Sequence, residues 1–299
     1  MLGRTLFSNY CASCLAILLL AVLGQLDAAP EPIMTTIYRI HPKKCPTLAD
    51  GPMLAFVDEE PPKLVTFNQT TPFECRRVVE CKVMSSPSES NVYWYRNDQL
   101  IQATTIRDIT FEAMAEKSEQ LGPSPPGTML GLSQMTHRLC VDPFVGTQTE
   151  EFKCKLQSLC ELNETIESQP ILVQPEGHRA RRMEAGAGET PNRGTPLLKA
   201  PLITMIQSTR MELAGNFVQL MCNAVGNPKP KVNWNVIDDE DETVTHSISK
   251  YPFIWELTNG DLLVDSASTD MASISLECRA TNPYGSDTAT STLILLSEN

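Results

Sequence analysis

Short segments with apolar side chains at every second position recur along this chain, separated by turn-forming residues. In "KVNW", Val232 and Trp234 point the same way on an extended segment. Just before it, "CNAVGNPKP" carries Gly226, Pro228 and Pro230, which suit the turn from one strand into the next. "NGDLLV" and "LECRATNPYG" follow further on. The first half repeats the grammar with "CKVMSSPSESNVYW", then "THRLCV", then "EEFKCKLQS". In each half a cysteine is followed by a tryptophan twelve or thirteen residues later and by another cysteine much further on. This long-period repeat of short alternating strands predicts an all-β chain built from two β-sandwiches.

Three stretches break the alternation. "QPEGHRARRMEAGAGETPNRGTP" lies between the halves, is rich in Gly, Pro and charge, and reads as a flexible basic linker. "TFEAMAEKSEQL", in the insertion between Trp94 and Cys140, reads as a short helix ended by "GPSPPG". At the N-terminus "MLGR" precedes the apolar run "CASCLAILLLAVLG" and the small residues of "QLDAAP", in the order of a secretory signal. That run is short for a membrane span, and "STLILLSEN" at the other end is shorter still. The expected organisation is a signal peptide at 1–29, a first sandwich with an N-terminal extension and extra disulfides at 30–173, the linker at 174–196 and a second sandwich at 197–299. The mature protein is expected to be secreted and extracellular, with no membrane span.

Composition narrows the partners. A hydrophobic fraction of 41% suffices for packed cores. A net charge of −12 argues against nucleic acid, which needs clustered Lys and Arg, and leaves a neutral or basic protein as the natural partner. Of ten cysteines, Cys11 and Cys14 fall in the signal, and the eight that remain fit disulfides in an oxidising compartment. The sandwich geometry pairs Cys81 with Cys154 and Cys222 with Cys278 across the two cores, with Trp94 and Trp234 packed against the bridges. Cys45, Cys75, Cys140 and Cys160 allow three pairings. Strand direction selects Cys45–Cys160 at one end of the sandwich and Cys75–Cys140 at the other, because only nearby α-carbons can be bridged. A free pair or an intermolecular bridge is the alternative.

Cys222, Ala224, Gly226, Pro228, Pro230 and Trp234, followed by Cys278, Ala280, Asn282 and Gly285, resemble an immunoglobulin I-set domain. The first half carries the same likeness through Cys81, Trp94 and Cys154. A secreted chain of two such domains joined by a linker resembles the nematode zwei-Ig (ZIG) family. It is also similar to insect ecdysone-inducible two-immunoglobulin proteins that bind insulin-like peptides. Phe152 and Leu276 stand where many such domains place a tyrosine whose hydroxyl closes a corner. Asp270, eight residues before Cys278, is displaced from the usual acidic position, so the corner of the second domain is expected to be longer than standard.

Other candidate sites are few. Asn68-Gln69-Thr70 and Asn163-Glu164-Thr165 are N-glycosylation sequons. Arg179, Arg181 and Arg182 form the R-x-R-R order of a secretory convertase site within the linker. Cutting there is expected to separate the halves, since no predicted disulfide joins them; the bland reading is a solvated basic patch. "DDEDE", Asp238 to Glu242, reads as a solvated turn and lacks the ligand spacing of a calcium loop. His41, His137, His178 and His246 sit in no catalytic or metal-binding motif, so neither enzyme activity, cofactor nor metal is expected.

The resulting expectation is a non-enzymatic recognition protein whose partner is an extracellular protein receptor or adhesion molecule. The ZIG resemblance implies a role in nervous-system maintenance of axon or cell-body position, or in adhesion. The insect resemblance implies a soluble protein that sequesters insulin-like peptides, which would require a concave apolar surface between the domains or on one exposed sheet. A flexible linker argues against a fixed interdomain surface. An extracellular-matrix component retained through Arg179, Arg181 and Arg182 is the third alternative.

Overall fold

The computed structural model describes residues 33–34, 53–110, 130–160, 163–175 and 199–297. The expected signal segment, Cys45, the expected helix from Phe111 onward and the linker from 176 lie outside these residues.

The chain is all-β with an immunoglobulin-like arrangement. Its first half holds β1 (Ile33–Met34), β2 (Met53–Phe56), β3 (Lys63–Thr66), β4 (Arg77–Ser86), β5 (Ser90–Arg96), β6 (Gln99–Ile106), β7 (Leu132–Cys140), β8 (Glu150–Ser158), β9 (Thr165–Glu167) and β10 (Ile171–Val173). The second half holds β11 (Lys199–Leu213), β12 (Phe217–Leu220), β13 (Cys222–Asn227), β14 (Lys231–Ile237), β15 (Thr245–Ser247), β16 (Ile254–Glu256), β17 (Leu262–Asp265), β18 (Ser273–Asn282) and β19 (Gly285–Leu296). The alternation read from the sequence becomes burial. In β8, Phe152, Cys154 and Leu156 are fully buried while Glu151, Lys153 and Lys155 between them are only half-buried. Phe152 and Leu276, the residues without a corner hydroxyl, fill the cores instead.

Each half has its own core. In the first, Trp94 sits opposite Cys154 on paired strands β5 and β8, within a cluster that includes Val79, Val83, Met135 and Phe152. In the second, Trp234 of β14 sits opposite Cys278 of β18, and its indole N–H donates to the Gly260 carbonyl at 2.8 Å. Gly260 reaches this position with φ +94°, a backbone region that favours glycine. The turn at "GNPKP" is equally tight: a Cβ on Gly226 would lie 2.9 Å from Cγ of Pro230.

The largest sheet does not stop at the boundary between the halves. Its order is β15-β14-β18-β19-β11-β7-β4-β2, with β13 also paired to β11 and β3 to β4, ten strands among the described residues. The halves meet where β11 runs antiparallel to β7, with Met205 opposite His137, Ile206 opposite Thr136 and Met211 opposite Leu132. On its other side β11 runs parallel to β19, from Thr209 opposite Thr292 to Leu213 opposite Leu296. The linker expected from the sequence argues against a fixed interdomain surface without ruling one out, and the two halves do meet. Backbone hydrogen bonds join them directly, because β11 extends over fifteen residues and offers one edge to each sandwich.

The side chains of β11 divide accordingly. Ile203 and Ile206 enter the second core, whereas Met205, with Met221, packs into the first. A register shift between Gln207 and Thr209 resets the phase of the strand. Beyond it Arg210 and Glu212 are fully buried. Nη1 of Arg210 donates to Oδ2 of Asp108 at 2.9 Å, to Oγ of Ser88 at 3.1 Å and to Oγ of Ser133 at 3.2 Å. Its Nη2 donates to Oε2 of Glu212 at 2.8 Å. Glu212 also accepts the backbone N–H groups of Leu130 at 2.6 Å and Gly131 at 3.1 Å. Two carboxylates thus flank one guanidinium, backbone donors from both halves bond Glu212, and Nε of Arg210 is buried without a hydrogen-bond partner. Nearby, the N–H of Ile109 donates to Oε1 of Gln219 at 2.8 Å, and Nε2 of Gln207 donates to Oγ of Ser133 at 2.7 Å.

Near the start of β11 the contact is aromatic. The rings of Phe73 and Tyr284 lie 4.8 Å apart, and the N–H of Ala200 donates to the Phe73 carbonyl at 3.0 Å. Asn282, in the hairpin that carries Tyr284, donates from Nδ2 to the carbonyls of Lys199 at 2.8 Å and Pro228 at 3.0 Å.

Removing one partner from a buried charge cluster leaves the others desolvated and unpaired, at a cost of about 3–5 kcal/mol. Arg210→Ala is therefore expected to lower unfolding stability by about 3–5 kcal/mol, measured by chemical denaturation. Arg279→Ala, which breaks the exposed pair with Glu277, is expected to change it by less than about 1 kcal/mol.

His137 gives a second test. It is fully enclosed beside the seam, Nε2 has no hydrogen-bond partner, and burial pushes its imidazole down to about 4 from the ordinary 6.5. The unfolded chain takes up this proton near pH 6.5 and the folded chain only near pH 4, so the unfolded state binds more protons in between. This group's stability contribution is whole above pH 6.5 and falls as the pH drops toward 4. A loss on the order of 3 kcal/mol over that interval is expected. Denaturation midpoints of the wild type and of His137→Gln across that range measure it, and the slope is expected to be shallower in the variant.

Candidate functional site

The sequence-predicted positions divide into structural staples and surface sites. Cys81–Cys154 and Cys222–Cys278 cross the two cores with α-carbons 6.8 Å and 6.6 Å apart. Cys75 and Cys140 are bridged at 5.9 Å, next to the pairing of Val78 with Cys140 on β4 and β7. Cys160 is also disulfide-bonded; Cys45, its expected partner, lies outside the described residues. Asp142 stands beside Cys75 and Cys140, but both sulfurs are oxidised and offer no thiolate to a metal. Instead its carboxylate takes up the N–H of Arg76 at 2.6 Å and Nε of Arg77 at 2.8 Å.

Asn68 and Asn163 are both exposed. Asn68 lies in the turn after β3, where Thr70 of the sequon donates its hydroxyl to Glu74 at 2.6 Å and its N–H at 2.8 Å. These bonds hold the Glu74 carboxyl below its usual range. Asn163 lies just before β9, which begins at the sequon's Thr165. Arg179, Arg181 and Arg182 lie outside the described residues.

Nothing in the described histidines resembles a catalytic base. His137 is sealed from solvent. His246 lies on β15 and is tied to Asp238 at 3.0 Å and Lys250 at 3.2 Å. Asp238 itself caps the acidic turn, accepting the N–H groups of Glu240 and Asp241 at 2.9 and 3.1 Å. That turn is closed by its own hydrogen bonds, as a solvated connection between β14 and β15. No helix among the described residues is long and apolar enough to cross a membrane.

What sequence reading missed is the outer face of the shared sheet. Register places Met53 opposite Ser86, Leu132 opposite Met211 and Met211 opposite Ile294. One step along, Ala55 stands opposite Met84 and Gln134 opposite Thr209, itself opposite Thr292. Leu132, Met211 and Ile294 are half-buried between fully buried inward neighbours such as Ser133, Arg210 and Leu293. Met53, on the far strand, is exposed. Leu132, Met211 and Ile294 therefore stand side by side across the seam, and Ser86 separates them from Met53. The ion pairs on this face stand further along the strands, Arg138 with Glu80 at 2.8 Å and Arg279 with Glu277 at 3.3 Å, beyond the uncharged Gln134, Thr136 and Ser275. The sheet offers a short apolar row on its outer face, followed one step along by Gln134, Thr209 and Thr292. Methionine suits such a surface, since its unbranched thioether adapts to different partners. The overlooked signal lay in "TMIQSTRMEL": the polar Gln207, Arg210 and Glu212 are inward, which a strand packed on a single apolar core would not tolerate.

Loss of either sequon is expected to remove one glycan without unfolding the protein. Asn68→Gln and Asn163→Gln should each shift the secreted band down one step on a denaturing gel, and the double variant two steps.

Residues 203–295 match the immunoglobulin I-set domain. A search of curated protein sequences finds no match of significant similarity. Among solved structures, that of the neural ectodermal development factor IMP-L2 is 20% identical over 83% of this chain and 97% of its own, with a TM-score of 0.48. The N-terminal Ig1-2 module of the Drosophila receptor protein tyrosine phosphatase DLAR is 19% identical over 79% of this chain and 100% of its own, with a TM-score of 0.29. Titin domains Z1Z2, solved with telethonin, are 15% identical over 82% and 98% of the two chains, with a TM-score of 0.29. Residues 203–295 thus carry an immunoglobulin I-set domain.

Proposed function

We propose that this protein is a non-enzymatic extracellular binder that holds a small protein ligand against the outer face of its shared sheet. The observation that carries the reading is the apolar row running across the seam through Leu132, Met211 and Ile294. Single surface hydrophobics need no explanation, but aligned ones that span two sandwiches mark an interaction surface. A ligand seated there contacts both halves at once, so its affinity depends on their fixed register.

This arrangement supports the hormone-sequestering alternative over the receptor-blocking one. An insulin-like peptide is the class implied by the insect resemblance. The expected surface "between the domains or on one exposed sheet" corresponds here to a single feature, since the exposed sheet is the one that joins the halves. A place in nervous-system adhesion rests on the ZIG resemblance, and retention in matrix on the linker arginines.

The test is binding of the secreted protein to a panel of insulin-like peptides and neuronal immunoglobulin receptors. Met211→Glu puts a charge at the centre of the row on a half-exposed side chain. It is expected to weaken peptide binding at least about tenfold, roughly 1.4 kcal/mol, and to leave the unfolding midpoint nearly unchanged. Peptide binding that survives Met211→Glu, or saturable binding to a receptor alone, would overturn the proposal.

A further inference from the structure

We propose that the seam by itself holds the two halves together, so that the protein stays one molecule when its chain is severed between residues 176 and 198. The convertase-type sequence at Arg179 to Arg182 makes such a cut a chemical possibility. From the sequence, cutting was expected to separate the halves. The seam reverses that expectation, and its partner is specific: the C-terminal half of this same chain, presented by β11.

Three features act together. The first is the β7–β11 pairing, which satisfies backbone groups that would otherwise be left at two open sheet edges. The second is exchange of core: Met205 and Met221 belong to the second half but pack into the first half's cluster, and separation would expose them. The third is the charge cluster. Arg210 and Glu212 come from the second half, Asp108, Ser88 and Ser133 from the first, and all are buried. The linker contributes only a raised effective concentration, typically millimolar, which matters little once the interface is tight.

Covalent bonds do not substitute for the seam. Cys75–Cys140 and Cys81–Cys154 lie within the first half and Cys222–Cys278 within the second. Cys160 is bonded as well, and each remaining cysteine, Cys11, Cys14 and Cys45, precedes Arg182. A nicked molecule would therefore keep its ligand face while gaining a new C-terminus and a new N-terminus in the basic segment. Processing would alter what the linker carries without dismantling the sheet.

The experiment treats full-length secreted protein with a secretory convertase. In parallel, a variant with a sequence-specific protease site inserted after Gly188 guarantees a cut. The cut protein is expected to elute from a sizing column as one species at the volume of the uncut chain. A non-reducing denaturing gel should resolve it into two bands. Two separate half-sized species on the column would overturn the proposal. The cut Arg210→Ala variant is expected to come apart at concentrations where the cut wild type does not. If that variant is not secreted, Phe73→Ala, which removes the ring contact with Tyr284, is expected to raise the concentration at which the cut form separates. Seam variants that hold as tightly as the wild type would show that these contacts are not what joins the halves.

Discussion

The pairing of β11 with β7, stapled by Arg210, is the constraint on which the rest of this structure depends. A guanidinium removed from water is costly unless every charge around it is answered. Here the answer comes from both halves: Asp108 and two serine hydroxyls from one, Glu212 from the other, with the N–H groups of Leu130 and Gly131 completing Glu212. Such a network forms in one register only, because a slip of one residue would point Arg210 at solvent and Met211 at the cluster. The charge cluster therefore fixes where the outer face lies as well as how the halves meet.

From that register the apolar row follows. Met211 faces outward because Arg210 and Glu212 on either side face inward, and Leu132 and Ile294 flank it because β7 and β19 are its hydrogen-bonded neighbours. Binding and architecture are thus coupled through one strand. Inward positions hold the body together, and outward positions offer the surface. The bulge at Gln207 to Thr209 is the switch, since it lets the same strand fill the second core with Ile203 and Ile206 before turning its charged pair into the seam.

The disulfides play a different part. Cys81–Cys154 and Cys222–Cys278 lock each sandwich internally, and Cys75–Cys140 ties adjacent strands of the first. They restrict the unfolded chain within each half and place no limit on the angle between the halves. Relative placement is left to hydrogen bonds, ion pairs and ring contacts. Phe73 and Tyr284 secure the start of β11 as the Arg210 cluster secures its end.

The sequence by itself determined what is local or repeated. Alternation in "EEFKCKLQS", turn residues in "GNPKP" and cysteine–tryptophan spacing specify strands, their inward faces and the core bridges, because a side-chain period of two and a fixed disulfide span leave little choice. The same logic placed Cys75 and Cys140 at one end of the first sandwich. The tertiary structure alone decided how the sandwiches combine. Asp108 lies far along the chain from Arg210 and Glu212, and each of the three reads alone as an ordinary surface charge. Met211, Leu132 and Ile294 likewise read as three unrelated apolar residues. They become a seam and a face only when a long strand finds a partner beyond its own sandwich, and the energy of that choice resides in contacts between distant residues that no local pattern encodes.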